Sequence, residues 1–144
     1  MLSMNAQEMV DFDWVADKLI GAVKDVSTLR AGITLERAGT FGALRPEVAT
    51  PLALILTELI QNAYEHGLAN AGTKVRISVV REDDQLSLEV SDDGIGLPRD
   101  FDIATSESLG LQIVKTLATN ELGGRLEVER ISSGGTRIQV VIYC

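Results

Sequence analysis

The chain is short of several things. It has one cysteine, Cys144, the last of 144 residues, so neither an intrachain disulfide nor a cysteine-built metal site can form. That usage is typical of a reducing compartment, and the cytoplasm is the expected location. No apolar run approaches the ~20 residues of a membrane span, and the start MLSMNAQEMV lacks the basic opening and apolar middle of a signal peptide. Basic residues are scarce as well: 13 Lys and Arg against 21 Asp and Glu give a net charge of −8. That balance argues against a nucleic-acid or anionic-membrane surface, so an anionic ligand would have to be held locally. There is one histidine, and only 4% of residues are aromatic. With no internal repeat and no low-complexity linker, residues 1–144 read as one domain, long enough to bury about two thirds of its unfolded surface.

What is present is 45% apolar and arranged in short periodic segments. Asp13 can cap a helix over about 13–25 with an apolar stripe of Val15, Ala16, Leu19, Ile20 and Val23. Residues 32–38 alternate as a strand. The loop GTFGALRPE then leads into a long helix with Pro46 or Pro51 near its entry and Gly67 fitting its end. VRISVV (75–80) and LSLEVS (86–91) are strands joined by REDDQ, a third helix covers about 109–120, and RLEVERI and TRIQVVIY form a last pair joined by SSGG. The expected class is α+β: a two-layer sandwich with helices on one face of a mixed, mostly antiparallel sheet, the other face partly exposed.

Four segments carry chemistry. In ELIQNAYEH (58–66), Glu58, Asn62 and His66 recur every four residues and stack in a row on the polar half of a helix whose other half is Leu52, Ile55, Leu56, Leu59, Ile60 and Ala63. Carboxylate and carboxamide oxygens are hard ligands suited to Mg²⁺, which usually shares them with substrate phosphates. Each residue alone would be an ordinary solvated helix face. In SDDGIGLP (91–98), Gly94 and Gly96 permit close backbone approach to a flat ligand, and Asp92 can accept a hydrogen bond from an exocyclic amine. In SESLGLQIVKTLA (106–118), Ser108 is a candidate cap and Gly110 keeps the first turn bare, which suits a phosphate. SSGGTRIQV sets Thr136 after two glycines, where its hydroxyl can face the ligand of Asp92.

Taken in order, these segments resemble the N, G1, G2 and G3 boxes of the GHKL ATPase superfamily, whose Bergerat fold binds ATP between a helix bearing E-x-x-x-N and a mixed sheet. The resemblance spans residues 51–143. VSDDGIGLP and SLGLQIVKTLATNELGGRLEV are similar to sensor histidine kinases of two-component systems, specifically the PdtaS-type subfamily, and VDFDWVADKLIGAVKDVSTLRAGITLERAG resembles the segment preceding the boxes there. The resemblance implies that Asn62 ligates Mg²⁺ with Glu58 beside it as polar or general-base residue. It implies that Asp92 accepts the adenine amino group with help from Thr136, Gly94 and Gly96, that Gly110 and its neighbours Leu109 and Leu111 border the triphosphate, and that His66 lies on the nucleotide side. Residues 97–108 would be a short lid. Three departures stand out: Glu65 where many histidine kinases have a basic residue, no phenylalanine–proline box in the lid, and Ser108 for the first glycine of G2. Arg99 and Lys115 are left out of the site.

A histidine kinase needs a phosphoacceptor histidine on a helix pair, and His66 lies inside the N box. The resemblance therefore implies a catalytic domain with ATP and Mg²⁺ as cofactors. Its partners would be a dimerisation and phosphoacceptor domain, to which residues 1–12 would be a linker, and a response regulator downstream. No nucleic acid and no membrane contact is expected. The alternative is a stand-alone anti-sigma-factor serine kinase that sequesters a sigma factor, whose N box also tends to read N-A-x-x-H-G. A degenerate scaffold is a third reading, disfavoured by the intact Glu58, Asn62, Asp92, Gly94, Gly96 and Thr136.

Overall fold

The computed structural model describes residues 8–26, 33–64, 74–94, 109–131 and 134–144. Strand β1 (Val10–Asp11) leads into helix α1 (Phe12–Val26); β2 (Thr34–Ala38) and β3 (Ala43–Leu44) precede helix α2 (Pro46–Asn62). Strands β4 (Lys74–Glu82) and β5 (Gln85–Asp92) form a hairpin, followed by helix α3 (Leu109–Thr116) and the pair β6 (Arg125–Arg130) and β7 (Thr136–Tyr143). The main sheet has the order β2-β4-β5-β7-β6; β2 runs parallel to β4 and the other pairs are antiparallel. The expected α+β class with a mixed, mostly antiparallel sheet is therefore the observed one. The single parallel pair is joined across α2, as a parallel connection requires a long crossover.

Strict alternation decides which face is covered. Val75, Ile77 and Val79 of β4, Leu86, Leu88 and Val90 of β5, and Ile138, Val140 and Ile142 of β7 are all buried. They form one apolar cluster with Leu52, Ile55, Leu56, Leu59 and Ile60 of α2 and with Leu111, Val114 and Ala118. Burying each of these large side chains contributes roughly 1.5–3 kcal/mol. The reverse face mixes the apolar Val80, Val141 and Tyr143 with a polar network in which Arg137 bridges Glu89 and Glu129 and Gln139 donates to Ser87.

The helix boundaries differ from expectation in instructive ways. Pro46, not Pro51, opens α2, and Pro51 sits one turn inside it. Asp13 does not cap α1: the cap contact is Asp11 Oδ1 accepting from the Trp14 amide at 3.4 Å. The Asp13 carboxylate instead accepts the Phe41 and Gly42 amides, each at 2.9 Å, and the Arg37 guanidinium. Burial alone would raise its pKa, but those three donors outweigh it and hold the carboxylate below its ordinary value. Residues 10–12, expected within a linker, belong to the fold. Val10 and Asp11 pair with Leu44 and Ala43, and Phe12 is fully buried with its ring 4.8 Å from Phe41. The third helix continues as expected, but its end widens into a π-helical turn (Leu117–Glu121), where the Leu122 amide reaches back five residues to the Leu117 carbonyl.

Candidate functional site

One feature breaks the apolar pattern of the covered face. Asp92 continues the inward series Leu86, Leu88, Val90, and Thr136 begins the inward series Ile138, Val140, Ile142. They are 8% and 4% exposed and are the two buried polar residues among those described. They are also direct cross-strand partners in the β5–β7 ladder. A carboxylate and a hydroxyl therefore meet on the helix side at the end of the sheet, where burying them without partners would be costly.

The carboxylate has one visible partner in its own loop: Asp92 Oδ1 accepts the Gly94 amide at 2.9 Å, closing an aspartate turn at the strand end. Burial pushes the Asp92 pKa up and neighbouring Asp93 adds to that, while backbone hydrogen bonds from Gly94 and Thr136 pull it down; the balance is a raised value. The group is thus desolvated, with acceptor capacity beyond the Gly94 contact. Directly beside it, Gly135 has φ +102°, and a Cβ there would stand 1.9 Å from the Asp92 carbonyl oxygen. The two strands approach more closely at this point than a side chain allows, which is why the turn reads Gly-Gly-Thr. Gly134 lies within the same corner, a Cβ on it being 3.7 Å from the Gly94 carbonyl.

Glu58 and Asn62 are half-buried, one turn apart on α2, between the wholly buried Leu59 and Ile60 and the solvent. Asn62 is the last α-helical residue, and the chain widens into π geometry at Ala63 and Tyr64. Helix α3 packs against α2. In its first turn Gly110 is half-buried, whereas the Leu111 side chain is 3% exposed within the core, so Leu111 seats the helix start rather than offering a side chain to a ligand. His66 and Gly96, like Glu65, Ser108 and residues 97–108, lie outside the described residues.

No group of three or more His, Cys, Asp or Glu able to hold a metal occurs among the described residues. Glu58 and Asn62 offer two hard oxygen donors on one helix face, which suits a magnesium ion that draws its remaining ligands from phosphates and water. Two features escaped the sequence reading: the close approach at Gly135, of which the doubled glycine was the signal, and the second acid of SDDG, Asp93.

Residues 47–143 match the family described as histidine kinase-, DNA gyrase B- and HSP90-like ATPases. The chain is 41% identical over 140 residues to the sensor histidine kinase PdtaS of Mycolicibacterium smegmatis, covering 95% of this chain and 28% of that protein. It is 40% identical over 139 residues to PdtaS of Mycobacterium tuberculosis, with the same coverage. The histidine kinase domain of a blue-light-activated histidine kinase from Erythrobacter litoralis superposes with a TM-score of 0.84 at 25% identity, over 95% of this chain and 67% of that one.

Proposed function

Because the chain belongs to the family of histidine kinase-, DNA gyrase B- and HSP90-like ATPases, we propose that it is the Mg·ATP-binding catalytic domain of a sensor histidine kinase, passing the γ-phosphate to a histidine on a separate domain. The chain spans about 28% of the length of the PdtaS relatives it matches. The acceptor helix pair and a response regulator are accordingly the partners proposed, and the cytoplasm, where ATP is found, the place. Sensor kinases among the relatives favour this reading over the anti-sigma-factor serine kinase.

The observation that carries the proposal is the buried Asp92–Thr136 pair at an otherwise apolar sheet face. A desolvated carboxylate is the acceptor that an adenine amino group needs, and the Gly135 contact lets the two strands close around it. Asn62 would hold the magnesium ion through its carboxamide oxygen, with Glu58 one turn before it positioned to orient a water or take a proton. When bound, the metal neutralises charge developing on the transferred phosphoryl group. This chain's own share is to bind and orient, and positioning of that kind supplies much of the acceleration in phosphoryl transfer. The nucleophile comes from the partner, so turnover by the domain alone is expected to be very slow.

Incubating the domain with Mg·ATP and the separately prepared acceptor helix domain should give an acid-labile, base-stable phosphohistidine on the acceptor. A folded pair that binds ATP yet transfers nothing would overturn the kinase reading. Specific capture of a sigma factor would restore the alternative.

A further inference from the structure

We infer that Asp93 is a positioning residue for nucleotide recognition: its carboxylate ends the β4–β5 ladder and sets the turn that aims Asp92 at the purine. The inference rests on the proposed purine role of Asp92.

The register makes the case. Strands β4 and β5 pair from Glu82↔Gln85 through Val75↔Asp92, so the next rung is Lys74 opposite Asp93. In an antiparallel ladder hydrogen-bonded and non-bonded rungs alternate, and a bonded rung exchanges two main-chain bonds between its residues. Half of that exchange is present: the Asp93 amide donates to the Lys74 carbonyl at 3.3 Å. The other half is substituted. The Lys74 amide donates at 2.9 Å to Asp93 Oδ1, where a continuing strand would offer the Asp93 carbonyl.

That substitution has a geometric consequence. With its side chain standing in for its own carbonyl, Asp93 completes the exchange with Lys74 just beyond the strand, which ends at Asp92. The chain bends at Asp93 and Gly94, and the bend brings the Gly94 amide onto Asp92 Oδ1. Two successive aspartates thus each take a backbone amide, one across the ladder and one within the turn. Without the first, nothing in the ladder distinguishes Asp93 from another strand residue. Continued pairing would carry Gly94 past the reach of Asp92.

The test measures ATP and GTP affinity calorimetrically on the 144-residue chain carrying Asp93→Ala, Asp93→Asn, Lys74→Pro or Asp92→Ala. Asp93→Ala should weaken ATP about tenfold and lower the ATP-to-GTP affinity ratio, because the purine acceptor is misaimed. Asp93→Asn, whose carboxamide oxygen still accepts the Lys74 amide, should restore ATP affinity to within about twofold, well inside the tenfold equivalent of 1.4 kcal/mol. Lys74→Pro removes the same bond from the donor side at the first residue of a strand, where proline is tolerated. It should reproduce Asp93→Ala and decides the matter if that variant does not fold. Wild-type binding by both Asp93→Ala and Lys74→Pro, with Asp92→Ala impaired, would overturn the role of Asp93. So would equal losses in Asp93→Ala and Asp93→Asn. Undiminished binding by Asp92→Ala would overturn the purine role itself.

Discussion

Replacing Gly135 with alanine puts a single methyl group where two strands meet, and the structure allows its cost to be divided into parts. The new Cβ would lie 1.9 Å from the Asp92 carbonyl oxygen, 2.8 Å from the carbonyl carbon and 3.0 Å from the Asp93 Cα, all backbone atoms that no rotamer change can move. Holding an L-residue at the φ of +102° seen there costs about 1–2 kcal/mol. Forcing the strands apart adds about 1–3 kcal/mol by comparison with overpacked cores. A total of about 2–5 kcal/mol is a large part of the ~5–15 kcal/mol that stabilises a domain. Gly123 supplies the control: its φ is +64° and nothing lies within 4 Å of an added Cβ. Gly123→Ala should therefore lose about 1 kcal/mol, the backbone term less the unfolded-state entropy that alanine removes. Urea midpoints at constant slope measure both. ATP affinity, read on folded protein, should fall in Gly135→Ala and stay unchanged in Gly123→Ala. Equal destabilisation of the two would show that conformation alone, and not close approach to Asp92, selects glycine at 135.

Asp92→Asn removes a charge that burial disfavours. With the folded-state pKa above the ordinary 3.8, the ionised form lowers stability progressively as pH rises from that value through the folded one. The variant should be at least as stable as the parent at pH 7 while ATP affinity drops about 10–100-fold; a parallel loss of both in melting and calorimetry would make the carboxylate merely structural. Asp13 has the opposite sign: its depressed pKa means its stabilisation is complete above 3.8 and lost as pH falls through the lower folded value. Asp13→Ala should cost about 2–4 kcal/mol at pH 7, discounted for a side chain 26% exposed, and its stability should vary less with pH below 4. Asn62→Ala should leave the urea midpoint nearly unchanged, since Asn62 is half-buried, but abolish the magnesium dependence of ATP affinity measured with and without chelator. Retained dependence would move the metal elsewhere.

How much of this was legible depended on whether a signal was local. Element types and the apolar half of α2 follow from periodicity, which needs no tertiary context, and Leu52 to Ile60 are buried as the pattern requires. The Asp92–Thr136 pairing was also within reach, because β5 and β7 have fixed alternation and the glycine turn before Thr136 sets the start of the strand. Asp13 shows the opposite. An aspartate at the head of a helix satisfies every local rule for a cap, yet the partners that win are 28 and 29 residues away in the Phe41–Gly42 loop. A charged acceptor gains more from two loop amides and a guanidinium than from one helix amide. Asp93 was illegible for a related reason: its function as a rung lies in the register with Lys74, which no spacing along the chain encodes.

The charge balance bears on the metal. On the proposed function, a domain of net charge −8 would hold a polyanion. The arginines near the core are engaged in the fold: Arg37 with Asp13, Arg81 with the Phe41 and Ala43 carbonyls, Arg137 with Glu89 and Glu129. These contacts tie loop to helix or strand to strand, and releasing any of them to meet a phosphate would expose partners that are now satisfied. On the proposed function, a cation that arrives with the ligand would supply part of the neutralisation, helped by helix starts such as that of α3, whose dipole favours anions. On the proposed function the purine end of the site would be built into the sheet and the phosphate end completed by what the nucleotide brings. Adenosine should accordingly bind with the same affinity whether or not magnesium is present, and only the phosphorylated forms should respond to it.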